Sequence, residues 1–197
     1  MTPDPSPSQL SILEIDPHLQ ASYPLSNRLR RAVWNLCYAV FFRPSLRPMH
    51  GWRSMLLRLF GARLGPNCHI HAKCRIWAPW NLECEDAACI AEYAEIYNPS
   101  LFQMGSHAIV SQGAYVCGAS HLYNKPSFQL VSFPMRMGAY SWVCARAVVS
   151  PGVQIADGAI LGLASVATRD LEAFGVYAGA PARKVKDRDR SAVPSLL

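Results

Sequence analysis

The 197 residues suffice for one sizeable core, or a small domain with an appendage. Half of the chain is apolar (51%) and only 16% is charged, which excludes a disordered chain. A formal net charge of +6 suits an anionic ligand, a membrane surface or nucleic acid, but no dense basic run is interleaved with aromatics, so no nucleic-acid partner is expected.

The opening MTPDPSPSQL has no basic start followed by an apolar run, so it does not read as a secretory leader. Residues 1–25, rich in Pro and Ser, read as a poorly ordered tail. Residues 26–63 read as a helical region. Ser26 is the expected N-cap before NRLRRAVWNLCYAVFF, and Pro44 and Pro48 break the pattern. HGWRSMLLRLFG follows, with Gly61 as its stop. Trp52, Met55, Leu56, Leu59 and Phe60 fall on one helical face, with Arg53 and Arg58 off it. The apolar run from Val33 to Phe42 is too short to span a bilayer, which takes roughly 20 residues.

From Leu64 a six-residue period replaces the helical one. Leu64, Ile70 and Ile76 are followed by Cys84, Ile90 and Ile96, then Met104, Val110 and Val116. Met137, Val143, Val149, Ile155, Leu161 and Ala167 continue the series. Four residues after each large residue comes a second slot, usually small, from Cys68, Cys74 and Ala88 through Ser120 and Ser141 to Ser165 and Leu171. A large and a small inward residue every six positions fit a short strand and a tight corner, the unit of a stacked solenoid. The period breaks after 76, after 96 and most widely after 116, always after three hexads. That spacing predicts about five triangular coils over residues 64–171, every insertion leaving one corner, the longest as a loop at 121–136. Residues 172–197 remain as a C-terminal segment. The seven scattered cysteines, none in a C-x-x-C pair, read as reduced thiols in small buried slots, which suits a cytoplasmic protein.

The stretches RPMHGWRSMLLRLFGARLG, PWNL, SQGAYVCGASH, SPGVQIADGAILG and YAGAPARKV resemble the hexapeptide-repeat, left-handed β-helix acyltransferases. The similarity is greatest to the colanic acid biosynthesis acetyltransferase subgroup, over roughly residues 28–187. It implies an all-β solenoid, a left-handed parallel β-helix with an N-terminal helical cap. It also implies an acetyl-CoA-dependent O-acetyltransferase acting on a hydroxyl of a sugar or polysaccharide precursor. A homotrimer with intersubunit active sites is expected, with no metal.

Acetyl transfer to a hydroxyl needs a base, donors for the oxyanion and a thioester held beside the acceptor. His121, at the root of the longest loop, is the candidate general base, and its place matches the catalytic histidine of the resembling family. The subgroup commonly shows Ser-His-Asp where this chain has Ser120-His121-Leu122, so the imidazole must be oriented by a backbone carbonyl or another side chain. Asn98 matches an acceptor-facing Asn of related enzymes, with a corner-turn role as the alternative. Tyr123, Asn124 and Phe128 either wall the acceptor pocket or pack the loop down. The resemblance assigns Ser141, Trp142, Gly162, Thr168 and Arg169 to the CoA groove, and Arg183 and Lys186 to the nucleotide phosphates. The cluster Arg169, Arg183, Lys184, Lys186, Arg188 and Arg190 suits several phosphate charges, although Arg188 and Arg190 read more simply as a solvated basic tail.

Two other functions fit the same fold. A γ-class carbonic anhydrase would take zinc on three histidines, here His69, His71 and His107. A non-catalytic scaffold would bind a partner and no acetyl-CoA. The N-terminal helices either cover the open end of the solenoid or touch a membrane surface from the cytoplasmic side, and the two roles can coexist.

Overall fold

The structure, a computed structural model, describes residues 10–11, 17 and 19–193. The rest of the expected tail, and residues 194–197 of the C-terminal segment, lie outside the described residues.

From Arg63 on, two- and three-residue strands stack in parallel on three faces. On the first face Leu64, Cys84, Met104, Met137, Ile155 and Leu171 lie in register one above another. The second face stacks Ile70, Ile90, Val110, Val143, Leu161 and Tyr177. The third stacks Ile76, Ile96, Val116, Val149 and Ala167. The hexad residues therefore point inward, and Ile70, Val110, Val143 and Leu161 are wholly buried. Two corners of the triangle are constant. They turn through single residues at positive φ, such as Asn67, Ala87 and His107 at one and Tyr93 and Arg146 at the other. The corner from third face to first takes all the variation in length.

The coil count differs from the expected five. First and second faces each carry a sixth rung, opened by Leu171 rather than closed by it. The last corner is short, with only four positions from Ala167 to Leu171, so Leu171 leaves the small-slot series and stacks on Ile155. Gly175–Gly179 then joins the second face in parallel, and Ala182–Asp187 folds back antiparallel on it as an edge.

Helix α1 spans Leu25–Cys37 and runs into a π-helical turn at Tyr38–Phe42. Ser26 is not its N-cap. Pro24 holds that position in an extended conformation, its fixed φ of −61° leading into the helix without a side-chain cap bond. Helix α2 spans His50–Leu59 and ends as expected at Gly61, where φ is +94°. The amide of Ala62 bonds Leu57 O, and that of Gly61 bonds Arg58 O, a Schellman closure.

The helices cap the open end of the solenoid by supplying donors to it. The first rung of a parallel stack leaves one row of carbonyls unpaired. On the first face Arg58 donates to the carbonyls of Leu64 and Gly65 at 3.1 Å each. Ile70 O, on the second, accepts from Arg53 Nε at 2.6 Å and His50 Nδ1 at 2.9 Å. Trp34 Nε1 donates to Ile76 O on the third, at 2.8 Å. Arg53 also bonds Ser45 Oγ and the carbonyls of Leu46 and Arg47. The apolar face read for α2 is therefore split. Leu56 packs inward beside the wholly buried Arg53, while Trp52, Met55 and Leu59 face outward.

Candidate active site

The longest corner insertion starts at Gly118. A Cβ there would lie 2.6 Å from Tyr97 O, so only glycine lets the chain leave so close to the coil below. Ala119–His121 then pairs antiparallel with Leu130–Ser132, His121 opposite Leu130. Leu10–Ser11, within the expected tail, adds a third strand to this hairpin. At the base, the buried hydroxyls of Ser132 and Ser100 meet at 2.6 Å and tie the loop to the preceding coil.

His121 is exposed at the end of the first hairpin strand. Its Nδ1 lies 2.5 Å from the carbonyl oxygen of Phe128. A carbonyl can only accept, so Nδ1 carries the proton and Nε2 the lone pair. The orienting partner that Leu122 cannot be is thus a main-chain carbonyl across the turn. Phe128 itself sits at φ +45°, held by its amide bond to Lys125 O, while the amide of Leu122 bonds Gln129 O. No sequence signal could mark Phe128 for this task, because a carbonyl is common to every residue.

Tyr123, Asn124 and Phe128 are exposed on the same hairpin turn, on His121's side of the molecule. Asn98 is buried at the corner of the preceding coil. Its Oδ1 accepts from the Ala78 amide at 3.0 Å, and its Nδ2 donates to Ala78 O and Asn81 O at 2.9 and 3.1 Å. That amide holds two successive corners together beneath Gly118.

Most of the residues matched to the CoA groove fall on and around the second face. Trp142, Ile160, Val176 and Lys186 occupy one register row on four successive strands. Each of the first three precedes an inward residue, so they form an outward track about 14 Å long, at about 4.8 Å per strand. The track runs from the partly exposed indole of Trp142 to the exposed ammonium of Lys186. Gly162 turns the corner beside it, and a Cβ there would lie 3.0 Å from Tyr177 O. Arg183 is exposed near the same end, whereas Thr168 and Arg169 are exposed at the variable corner between Ala167 and Leu171. Ser141 is wholly buried, and its hydroxyl donates to Gly138 O at 2.7 Å. Lys184 pairs with Glu172 and Asp187 at 3.2 and 2.8 Å. Arg188 and Arg190 are not a solvated tail. Arg188 donates to Tyr140 O and Gly158 O, spanning two coils, and Arg190 lies over the Phe174 ring. Backbone carbonyls at a constant corner and the ring of the buried Phe174 give both guanidiniums partners that the sequence does not show.

In a triangular solenoid the variable corner, between third and first faces, stands opposite the second face. One chain therefore keeps His121 and the Trp142–Lys186 track on opposite sides. The histidines of the carbonic-anhydrase reading are also apart. His69 and His71 each lie with His50 at 5.0 Å between ring centroids, while His107 stacks on Tyr140 at 4.6 Å. Among the described residues no three His, Cys, Asp or Glu side chains are placed to hold a metal ion. The cysteines are free thiols, and burial pushes the Cys74 thiol up to about 12.

No family profile matches the chain. The chain is 32% identical over 162 residues to the putative colanic acid biosynthesis acetyltransferase WcaF of Escherichia coli, covering 82% of this chain and 89% of that one. Maltose O-acetyltransferase from Clostridium difficile shares its fold with a TM-score of 0.76 at 18% identity, over 84% of this chain and 90% of that one. A galactoside acetyltransferase solved with coenzyme A gives a TM-score of 0.77 at 19% identity, over 85% of each chain. These neighbours make the solenoid a left-handed β-helix. With that much of its length shared at that identity, the chain belongs to the colanic acid biosynthesis acetyltransferase family of hexapeptide-repeat proteins.

Proposed function

We propose that the protein moves an acetyl group from acetyl-CoA to a hydroxyl of a sugar or polysaccharide precursor, with His121 as general base. The observation that carries this reading is the bond from His121 Nδ1–H to the Phe128 carbonyl, which leaves a lone pair on an exposed Nε2. Nε2 takes the proton of the acceptor hydroxyl as its oxygen attacks the thioester carbonyl. When the carbon–sulfur bond breaks, the imidazolium returns that proton to the departing thiolate. Acetate ester and free CoA thiol result, and the imidazole is neutral again.

Trp142 and the outward row above it suit the pantetheine arm of acetyl-CoA, and Lys186 and Arg183 suit its phosphates, to which Arg169, at the variable corner, would add from the neighbouring copy. Because this track lies opposite His121 in one chain, the base and the thioester meet only if a second copy brings its second face to the first copy's variable corner. A closed ring of three copies makes three such sites, and we assign the active form as a homotrimer. Tyr123 and Asn124, beside the base, are assigned to the acceptor. Asn98 serves the acceptor side by fixing the corner from which the base projects. An exopolysaccharide precursor is the acceptor class that family membership favours, and the reaction belongs to the cytoplasm, where acetyl-CoA is made.

The test is acetyl transfer from acetyl-CoA to a panel of hydroxylated sugars by wild type and His121→Ala. Loss of turnover by about 100- to 10,000-fold is expected for removal of a general base. Unchanged turnover in the variant overturns the assignment of the base.

A further inference from the structure

We infer that the outward side of the helical cap is a docking surface for an anionic lipid bilayer, entered in the plane of the membrane by α1, its π-helical extension and α2. Helices that only cover a core bury one side and wet the other. These do not. The inward side of the cap buries Trp34, Phe42, Leu56 and Leu57. The opposite side exposes Leu25, Leu29, Val33, Leu36 and Val40, spaced by three or four residues as one ridge along α1 and its extension. Trp52, Met55 and Leu59 form a second ridge on α2. The Trp52 indole donates to Phe41 O at 3.0 Å, which joins the two ridges. Leu36 and Leu59 leave 66% and 73% of their surface in water, more than isolated surface leucines need explain.

Charge selects the occupant. From Pro17 to Leu82 the chain holds nine arginines and one lysine and no acidic residue. Arg28, Arg43 and Arg47 are exposed on the cap, and among the described residues no arginine of residues 17–61 pairs with a carboxylate. Arginines bordering an apolar helical ridge match lipid phosphates above a hydrocarbon layer. A second copy meeting this face with its own would set these arginines against each other. Among the described residues no helix is long and apolar enough to cross a membrane, so the contact is peripheral.

This inference does not depend on the acetyl-transfer reading, because its readout is lipid binding. The full chain is sedimented with vesicles of phosphatidylcholine alone and of phosphatidylcholine mixed with phosphatidylglycerol. The triple variant Leu29→Ser/Val33→Ser/Leu36→Ser and the variant Arg28→Gln/Arg43→Gln/Arg47→Gln are run beside it, with thermal melts and molar mass by light scattering. Binding is expected only to the anionic vesicles, weakened by high salt, and reduced about a hundredfold by the serine variant at unchanged mass and melting. The glutamine variant should lose the preference for anionic lipid. Three outcomes overturn the inference: no binding to phosphatidylglycerol vesicles, equal binding by the serine variant, or a fall in molar mass on serine substitution, which would mean another copy covers the face.

Discussion

The solenoid and its helical cap obey the same rule of burial and reveal it differently. In the solenoid only one side of each short strand meets the interior, so a residue's place in the hexad decides its environment, and every Ile, Leu or Val at the large position from Ile70 to Leu161 is buried. In the cap both sides of each helix are apolar. The period therefore marks a helix without telling which side turns inward, and in α2 Arg53 is as completely buried as Leu57. Periodicity reports orientation only where the other side is polar.

The contrast can be broken hardest in the middle of the stack. Val110→Asp would place an unpaired carboxylate between rungs with no donor nearby, and a loss of about 3–5 kcal/mol is expected, read as failure to fold or a collapsed melting temperature. Arg53→Ala comes next. It strips the donor from the carbonyls of Leu46 and Arg47 and one of two donors from Ile70 O, and chemical denaturation should show a loss of about 3 kcal/mol; Arg53→Lys should not restore it, since one ammonium cannot reach all three. Leu59→Ser, on the outward ridge, should change stability by less than about 0.5 kcal/mol in the same measurement.

The loop sharpens the comparison further, because there the backbone performs the task. Phe128→Ala keeps the carbonyl that holds His121 and should leave turnover within about threefold. Phe128→Pro cannot adopt the positive φ of that turn, and should lower turnover by at least about tenfold with little change in melting temperature. The smallest effect concerns pH. Burial, chiefly, lowers the affinity of His50 and His71 for protons below the ordinary imidazole value. Their neutral forms favour the folded cap above that ordinary value, and this contribution is lost as pH falls from it toward the lowered one. Melting temperature should therefore fall modestly over that window, and His50→Gln should flatten the slope.

The turn through Phe128 also shows where reading the sequence stops. His121 could be singled out as the candidate base because the longest break in the period leaves the coil beside it. Its partner could not, because a carbonyl acceptor leaves no mark on residue identity. The same limit hid the bonds of Arg188, which end on the carbonyls of Tyr140 and Gly158, and the sixth coil, which depends on a corner shortened between Ala167 and Leu171.

The sequence by itself determined the interior of the solenoid, the three faces and the one corner from which the loop departs. Those follow from a local rule, a large and a small inward residue every six positions, repeated until the interior closes. Only the tertiary structure decided which side of the helical cap is covered, what orients the His121 ring, and that His121 and the Trp142–Lys186 row stand on opposite sides of one chain. These depend on donors and acceptors brought together across distant rungs, where geometry rather than residue type selects the partner.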